Sequence, residues 1–223
     1  MSGVPGVVFD LDGVLVASEH LWELGWEEVA ATRNVVWSAA NTRACQGKSV
    51  PEWADYIADL TGLPRDHVRD QVVGYVVASY DSGEVTLLPY AADLVAGACA
   101  RGPIGLATSA PREVIDRVLR FPELTGRFTA TVSSAEVPRG KPSPDVYLAA
   151  IDRCGLAAHR SLAVEDSSNG IRAAAAAGLK VVGMEHEQYP VAPDARALAV
   201  AVYGSLRDVA DHVFSALDRE VAR

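Results

Sequence analysis

Six short apolar runs, separated by helical stretches, constrain what this chain can fold into more than any other feature of it. The first is Gly6-Val7-Val8-Phe9-Asp10 and the second Pro103-Ile104-Gly105-Leu106-Ala107-Thr108. A weaker third covers 129–133, and 161–166, 179–183 and 199–203 complete the set. The stronger runs are apolar at consecutive positions, which suits strands covered on both faces. Between the runs, prolines mark helix starts at Pro89, Pro111 and Pro144, and glycines mark helix ends at Gly102, Gly155 and Gly178. Strand and helix in alternation predict an α/β fold, a doubly wound, Rossmann-like parallel sheet with right-handed crossovers.

One stretch breaks the alternation. Between residues 18 and 82 no strand run occurs, and helical segments begin near Leu21, span 52–60 and span 67–80. The last is apolar at Val68, Val72, Val73, Val76 and Val77. All four tryptophans of the chain (Trp22, Trp26, Trp37 and Trp53) fall in this stretch. The pattern predicts an all-helical module, 18–82, with its own small core, inserted into an α/β unit made of 1–17 and 83–223. Hinges are expected at 16–19 and 81–84.

Open α/β sheets bind ligands beyond the carboxyl ends of their strands. The first run ends at Asp10, with Asp12 and Gly13 following, and the second at Thr108-Ser109. The third leads to Gly140-Lys141-Pro142, and the fourth ends at Glu165-Asp166. Asp10 and Asp12 are two residues apart, so on extended chain they face the same way and repel. A bound cation relieves that repulsion, and Asp166 adds a third acid. An oxygen-only set with room for water suits Mg²⁺. Glu165 is either a further ligand or a supporting acid. Lys141 then stands as a positive charge opposite the metal. Thr108 offers a hydroxyl where free backbone N–H groups favour anions. Such a combination describes a phosphoryl site.

Four segments carry a resemblance to a known family. Phe9-Asp10-Leu11-Asp12-Gly13-Val14-Leu15 resembles the first motif of the haloacid dehalogenase superfamily, and Ala107-Thr108-Ser109 its second. Gly140-Lys141-Pro142-Ser143-Pro144 is similar to the third, and Val164 through Ile171 to the fourth. The helical insertion after the first motif resembles that family's cap, and Ser18-Glu19-His20-Leu21-Trp22 is most like its sugar-phosphate phosphatase branch. The resemblance implies a Mg²⁺-dependent phosphatase acting on a small phosphorylated metabolite. Asp10 would be the nucleophile, forming an aspartyl-phosphate, and Asp12 the general acid and base. Asp10, the Asp12 backbone carbonyl and Asp166 would hold the metal, and Thr108, Ser109 and Lys141 the phosphoryl group. His20, Trp22, Gln46, Gly47 and Lys48 are the cap candidates for substrate specificity. The branch also contains β-phosphoglucomutase-like phosphomutases. Their basic residue after the second motif is absent here, where Ala110-Pro111 follow Ser109, and this weakens that alternative. A non-catalytic phosphate-binding module is the other alternative, and the complete set of catalytic residue types argues against it. The position before Ser18, often acidic in relatives, is Ala17.

Charge and cysteine usage exclude other classes. Twenty basic against 29 acidic residues leave a net charge of −9, which disfavours DNA or RNA as partner. Cys45, Cys99 and Cys154 form no CxxC, so neither a disulfide framework nor a zinc site is expected. No apolar run approaches the roughly 18 residues that span a bilayer, so no membrane partner is expected. No basic stretch precedes an apolar one at the N-terminus, which reads as a cytoplasmic protein.

Overall fold

The computed structural model describes residues 3–222; residues 1, 2 and 223, the outer ends of the expected α/β unit, lie outside the described residues. All six apolar runs form strands: β1 (Val7–Phe9), β2 (Ile104–Thr108), β3 (Ala130–Ser133), β4 (Leu162–Glu165), β5 (Lys180–Met184) and β6 (Ala201–Tyr203). They pair in parallel in the order β3-β2-β1-β4-β5-β6. The expected α/β fold is what forms. Every residue of β1, β2 and β4 is buried. Their alternate residues feed two cores. Val7, Phe9 and Leu106 pack with helix α5 (Ala91–Cys99) and with α10 (Leu206–Val221) on one face. Val8, Ala107 and Ala163 pack with α7 (Asp145–Cys154) and α8 (Ser168–Ala176) on the other. This two-sided burial is why the strand sequences run apolar without alternation.

The register fixes where the chemistry falls. Phe9 lies opposite Leu106 on one side and Val164 on the other. Asp10 is therefore level with Ala107 and Glu165, and its N–H donates to Val164 O at 2.9 Å. The three central strands deliver their terminal side chains to one edge.

Between β1 and α5 come four helices: α1 (Glu19–Ala31), α2 (Ala39–Cys45), α3 (Val50–Thr61) and α4 (Arg65–Asp81). The apolar side of α4 (Val68, Val72, Val73 and Val76) is buried against the tryptophans of α1 and α3. The two connections into this insertion run side by side. Ala17 N donates to Thr86 O at 3.1 Å, and Leu88 N to Leu15 O at 3.0 Å. One apolar core runs unbroken from the sheet through Leu11, Leu15 and Leu21 to Trp22 and Trp53. Helix α2 is absent from the sequence reading. It is seven residues long and buries only Thr42 and Cys45, so it shows no apolar period. The remaining helices are α6 (Arg112–Val118) and α9 (Pro193–Arg196). Among the described residues, no helix is long and apolar enough to cross a membrane.

Candidate active site

Lys141 sits in the loop before α7 and is only 2% exposed. Its ammonium lies 2.6 Å from Asp10 Oδ1 and 2.6 Å from Glu165 Oε1. A buried ammonium is tolerable only when paired. Here two carboxylates outweigh the cost of desolvation and hold the Lys141 pKa above its ordinary value. Glu165, fully buried, is saturated by further donors. Tyr147 OH reaches Oε1 at 3.1 Å, while Ser167 N and Oγ reach Oε2 at 2.8 and 3.0 Å. A glycine must follow close by: a Cβ on Gly170 would lie 1.5 Å from Glu165 Oε1. The first turn of α8 can therefore press onto this carboxylate only without a side chain.

Asp10 is buried, and desolvation pushes its carboxyl up to about 7. The Lys141 charge opposes that shift, whereas Glu165 and Asp12 add to it. Asp166 is held well above the usual carboxylate range by burial first, then by Glu19, Glu165 and Asp10. Its Oδ1 is buried and accepts no hydrogen bond. Asp12 turns the other way, toward α1. Its Oδ1 accepts from the hydroxyl of Ser18 and from Trp22 Nε1 at 2.9 Å. Burial raises its pKa, and these two bonds work against the rise.

These groups line a cavity of about 50 Å³ between the sheet edge and the insertion. Of the residues singled out in the sequence, Asp10, Asp12, Thr108, Ser109, Lys141 and Asp166 face it from the sheet side. Trp22, Gly47 and Lys48 face it from the insertion. Thr108 Oγ1 accepts from Ala110 N at 3.0 Å, which holds the loop after β2, and Ser109 Oγ is buried with no partner. Glu165 stands behind Lys141, outside the lining. His20 and Gln46 lie elsewhere. His20 is exposed and borders a different depression with His186 and Tyr189. Gln46 is half-buried beside the cavity without lining it.

Glu19, Trp26 and Trp53 also line the cavity, and the sequence reading did not single them out. A signal was present, since positions 19, 22 and 26 fall on one face of a helix beginning at Glu19. Burial, then the charges of Asp12, Asp10 and Glu165, push the Glu19 carboxyl up to about 8.

The donor set fits a hard divalent cation. Asp10, Glu165 and Asp166 bring carboxylate oxygens within 4.8 Å of one another, and Asp166 Oδ1 has capacity to spare. Both Glu165 oxygens already accept from protein donors, so Asp10 and Asp166 are the acids suited to coordination.

Fold and site together define the class, an α/β protein whose acid-rich site lies at the carboxyl edge of its sheet beneath inserted helices. The profile of the haloacid dehalogenase-like hydrolases matches residues 4–178, and the chain belongs to that family. The four-motif resemblance is thus borne out. Validoxylamine A 7'-phosphate phosphatase of Streptomyces hygroscopicus subsp. limoneus is 29% identical over 195 residues, which span 87% of this chain and 89% of the relative. Hexitol phosphatase B of Escherichia coli (strain K12) is 29% identical over 187 residues, 78% of this chain and 81% of the relative. Both are phosphatases by name, and this chain stands with them among the phosphoric monoester hydrolases. A crystal structure of CbbY from Rhodobacter sphaeroides in complex with phosphate has the same fold, with a TM-score of 0.82 at 24% identity. The match covers 96% of this chain and 99% of that one.

Proposed function

We propose that this chain hydrolyses the phosphate monoester of a small sugar-like metabolite, with Asp10 as nucleophile. One observation carries the reading: the Asp10 carboxylate, clamped by a buried lysine, opens on a cavity that Asp12, Thr108 and Asp166 also line. The names of the two phosphatase relatives support the substrate class.

Lys141 engages one oxygen of Asp10 and leaves the other to attack phosphorus, giving an aspartyl-phosphate. The Lys141 ammonium, which keeps one N–H beyond its bonds to Asp10 and Glu165, is the proposed donor to the phosphoryl oxygens, with Thr108 and Ser109 beside it. Asp12, whose burial favours the protonated form, gives its proton to the leaving alcohol. It then takes a proton from the water that opens the aspartyl-phosphate. Asp10, Asp166 and the Asp12 backbone carbonyl are the proposed holders of Mg²⁺, which when bound offsets charge on the phosphoryl oxygens. Residues 18–82 act as a cap domain over the unit formed by 1–17 and 83–223, and keep bulk water from the reacting atoms.

Phosphate release from an aryl phosphate, followed with Mg²⁺ and with EDTA, tests the proposal. Metal-dependent turnover that Asp10→Asn abolishes is expected. Metal-independent turnover, or full activity in Asp10→Asn, overturns it.

A further inference from the structure

Gly13 is pressed against the acids around it. It sits in the left-handed region at φ +72°, and a Cβ on it would lie 2.0 Å from Asp166 Oδ2. A side chain cannot fit there, but glycine leaves the backbone free to swing about its own two dihedral angles. That freedom matters at this point. The peptide unit before Gly13 carries the Asp12 carbonyl, a proposed holder of Mg²⁺, and the unit after it carries the Gly13 carbonyl. Gly13 N donates to Val16 O at 3.1 Å, which ties the first unit within its own loop. The second is tied from outside.

The outside bond comes from the loop after β5. His186 Nε2 lies 2.7 Å from Gly13 O. A carbonyl oxygen only accepts, so Nε2 carries the hydrogen and donates. The same nitrogen lies 4.0 Å from Asp166 Oδ2. Strand β4 stands between β5 and β1, so the bond reaches across the end of the strand that delivers Asp166. The loop carrying His186 is itself braced. Glu185 N donates to Tyr203 O at 2.8 Å, and Tyr189 N to His186 O at 3.1 Å. Tyr189 OH donates to Glu23 Oε2, in α1, at 3.1 Å. A side chain on so braced a turn has a fixed origin from which to hold another loop.

On the phosphatase reading above and the metal set it names, we propose that His186 is a positioning residue for the cation. Its bond to Gly13 O holds the Asp12–Gly13 turn in fixed relation to Asp166. His186 does not line the cavity, so it acts through Gly13 and touches no reacting atom. Mg²⁺ demands near-ideal octahedral geometry, so an oxygen beside an unrestrained glycine binds it worse than one held in place. Groups that orient metal ligands are for this reason worth about 10- to 100-fold in metal affinity. A bond that only fastened one loop to another would act differently. Its loss would lower stability with or without the ion and leave the affinity unchanged.

The test titrates Mg²⁺ into the intact protein by calorimetry at pH 8, with the Tm rise at one Mg²⁺ concentration as a second reading. Two variants separate reach from polarity. In His186→Gln the amide N–H reaches as far as Nε2 does, and in His186→Asn it stops one carbon short. The side chain is 25% exposed and polar in every case, so neither change opens an apolar core. In His186→Asn the Kd for Mg²⁺ should rise about tenfold, and the Tm rise should shrink with it. In His186→Gln both should stay close to the wild-type values. An unchanged Kd in His186→Asn overturns the proposal, whether or not its urea midpoint in EDTA falls. A Kd in His186→Gln as weak as in His186→Asn overturns it too. Either result leaves the phosphatase reading standing, because the wild-type protein still binds Mg²⁺ and turns over an aryl phosphate. A wild-type protein that neither binds Mg²⁺ nor releases phosphate would remove that reading, and the role of His186 with it.

Discussion

Replacing Glu165 by glutamine isolates what that buried acid does. Its two oxygens accept from Lys141 Nζ at 2.6 Å, Tyr147 OH at 3.1 Å, Ser167 N at 2.8 Å and Ser167 Oγ at 3.0 Å. An amide of the same shape must turn its NH₂ to one side or the other. On one side it meets the Lys141 ammonium, on the other the Ser167 backbone N–H, and neither can accept a hydrogen bond. The variant therefore loses a charge and gains a donor–donor conflict in a site with no exposure. Removing one partner of a buried pair costs about 3–5 kcal/mol. Because Asp10 still neutralises Lys141, the lower end applies, about 3 kcal/mol, or about 6–12 °C in Tm for a chain of this size.

The measurement is urea and thermal unfolding of Glu165→Gln in EDTA. Metal-free conditions matter. If Glu165 served chiefly as a cation ligand, its loss would be felt only with Mg²⁺ present, because a vacated ligand position costs nothing when no ion is bound. A destabilisation below about 1 kcal/mol in EDTA would refute the assignment of Glu165 as the anchor of Lys141.

Other outcomes follow from the same geometry. Gly170→Ala should destabilise by about 1–3 kcal/mol in urea unfolding, because its Cβ would lie 1.5 Å from Glu165 Oε1. Gly74→Ala, in α4 with open space around it, should stabilise by about 0.5–1 kcal/mol. Asp10 and Glu19 bind protons more tightly folded than unfolded, with pKa values raised to about 7 and about 8. Their contribution to metal-free stability is thus complete below about pH 4 and is lost as pH rises toward 8. A Mg²⁺-induced Tm increase should accordingly be larger at pH 8 than at pH 5, and a larger increase at pH 5 would count against this picture. Trp22→Phe removes a bond that lowers the Asp12 pKa, so the alkaline limb of the kcat profile should move to higher pH. A shift to lower pH would contradict the role of Asp12 as acid.

The acid-bearing sheet edge and the opposing wall of the insertion were not equally legible in the sequence, and the difference is physical. Asp10, Thr108 and Asp166 follow apolar runs that could be only buried strands, so the chain direction alone sent them to the carboxyl edge. The strand order could not be read in the same way, because it depends on which crossovers pack where. Lys141 was placed by its motif, but Tyr147, which shares Glu165 Oε1 with it, lies inside α7 and reads as an ordinary core aromatic until the helix is docked. The insertion is a harder case. Residues 18–22 are consecutive, and their chemistry does not say which of them face inward. That depends on where α1 begins and how it is rotated against α3 and α4. With Glu19 as the first helical residue, each step turns the helix by about 100°. Glu19, Trp22 and Trp26 then point to the cavity, while His20 turns out to solvent. Trp53 joins them from α3 through packing alone. A chain of this design sets its acids at strand ends, where local sequence dictates position. The wall of the insertion is set by helix phase, which tertiary packing decides and local sequence does not.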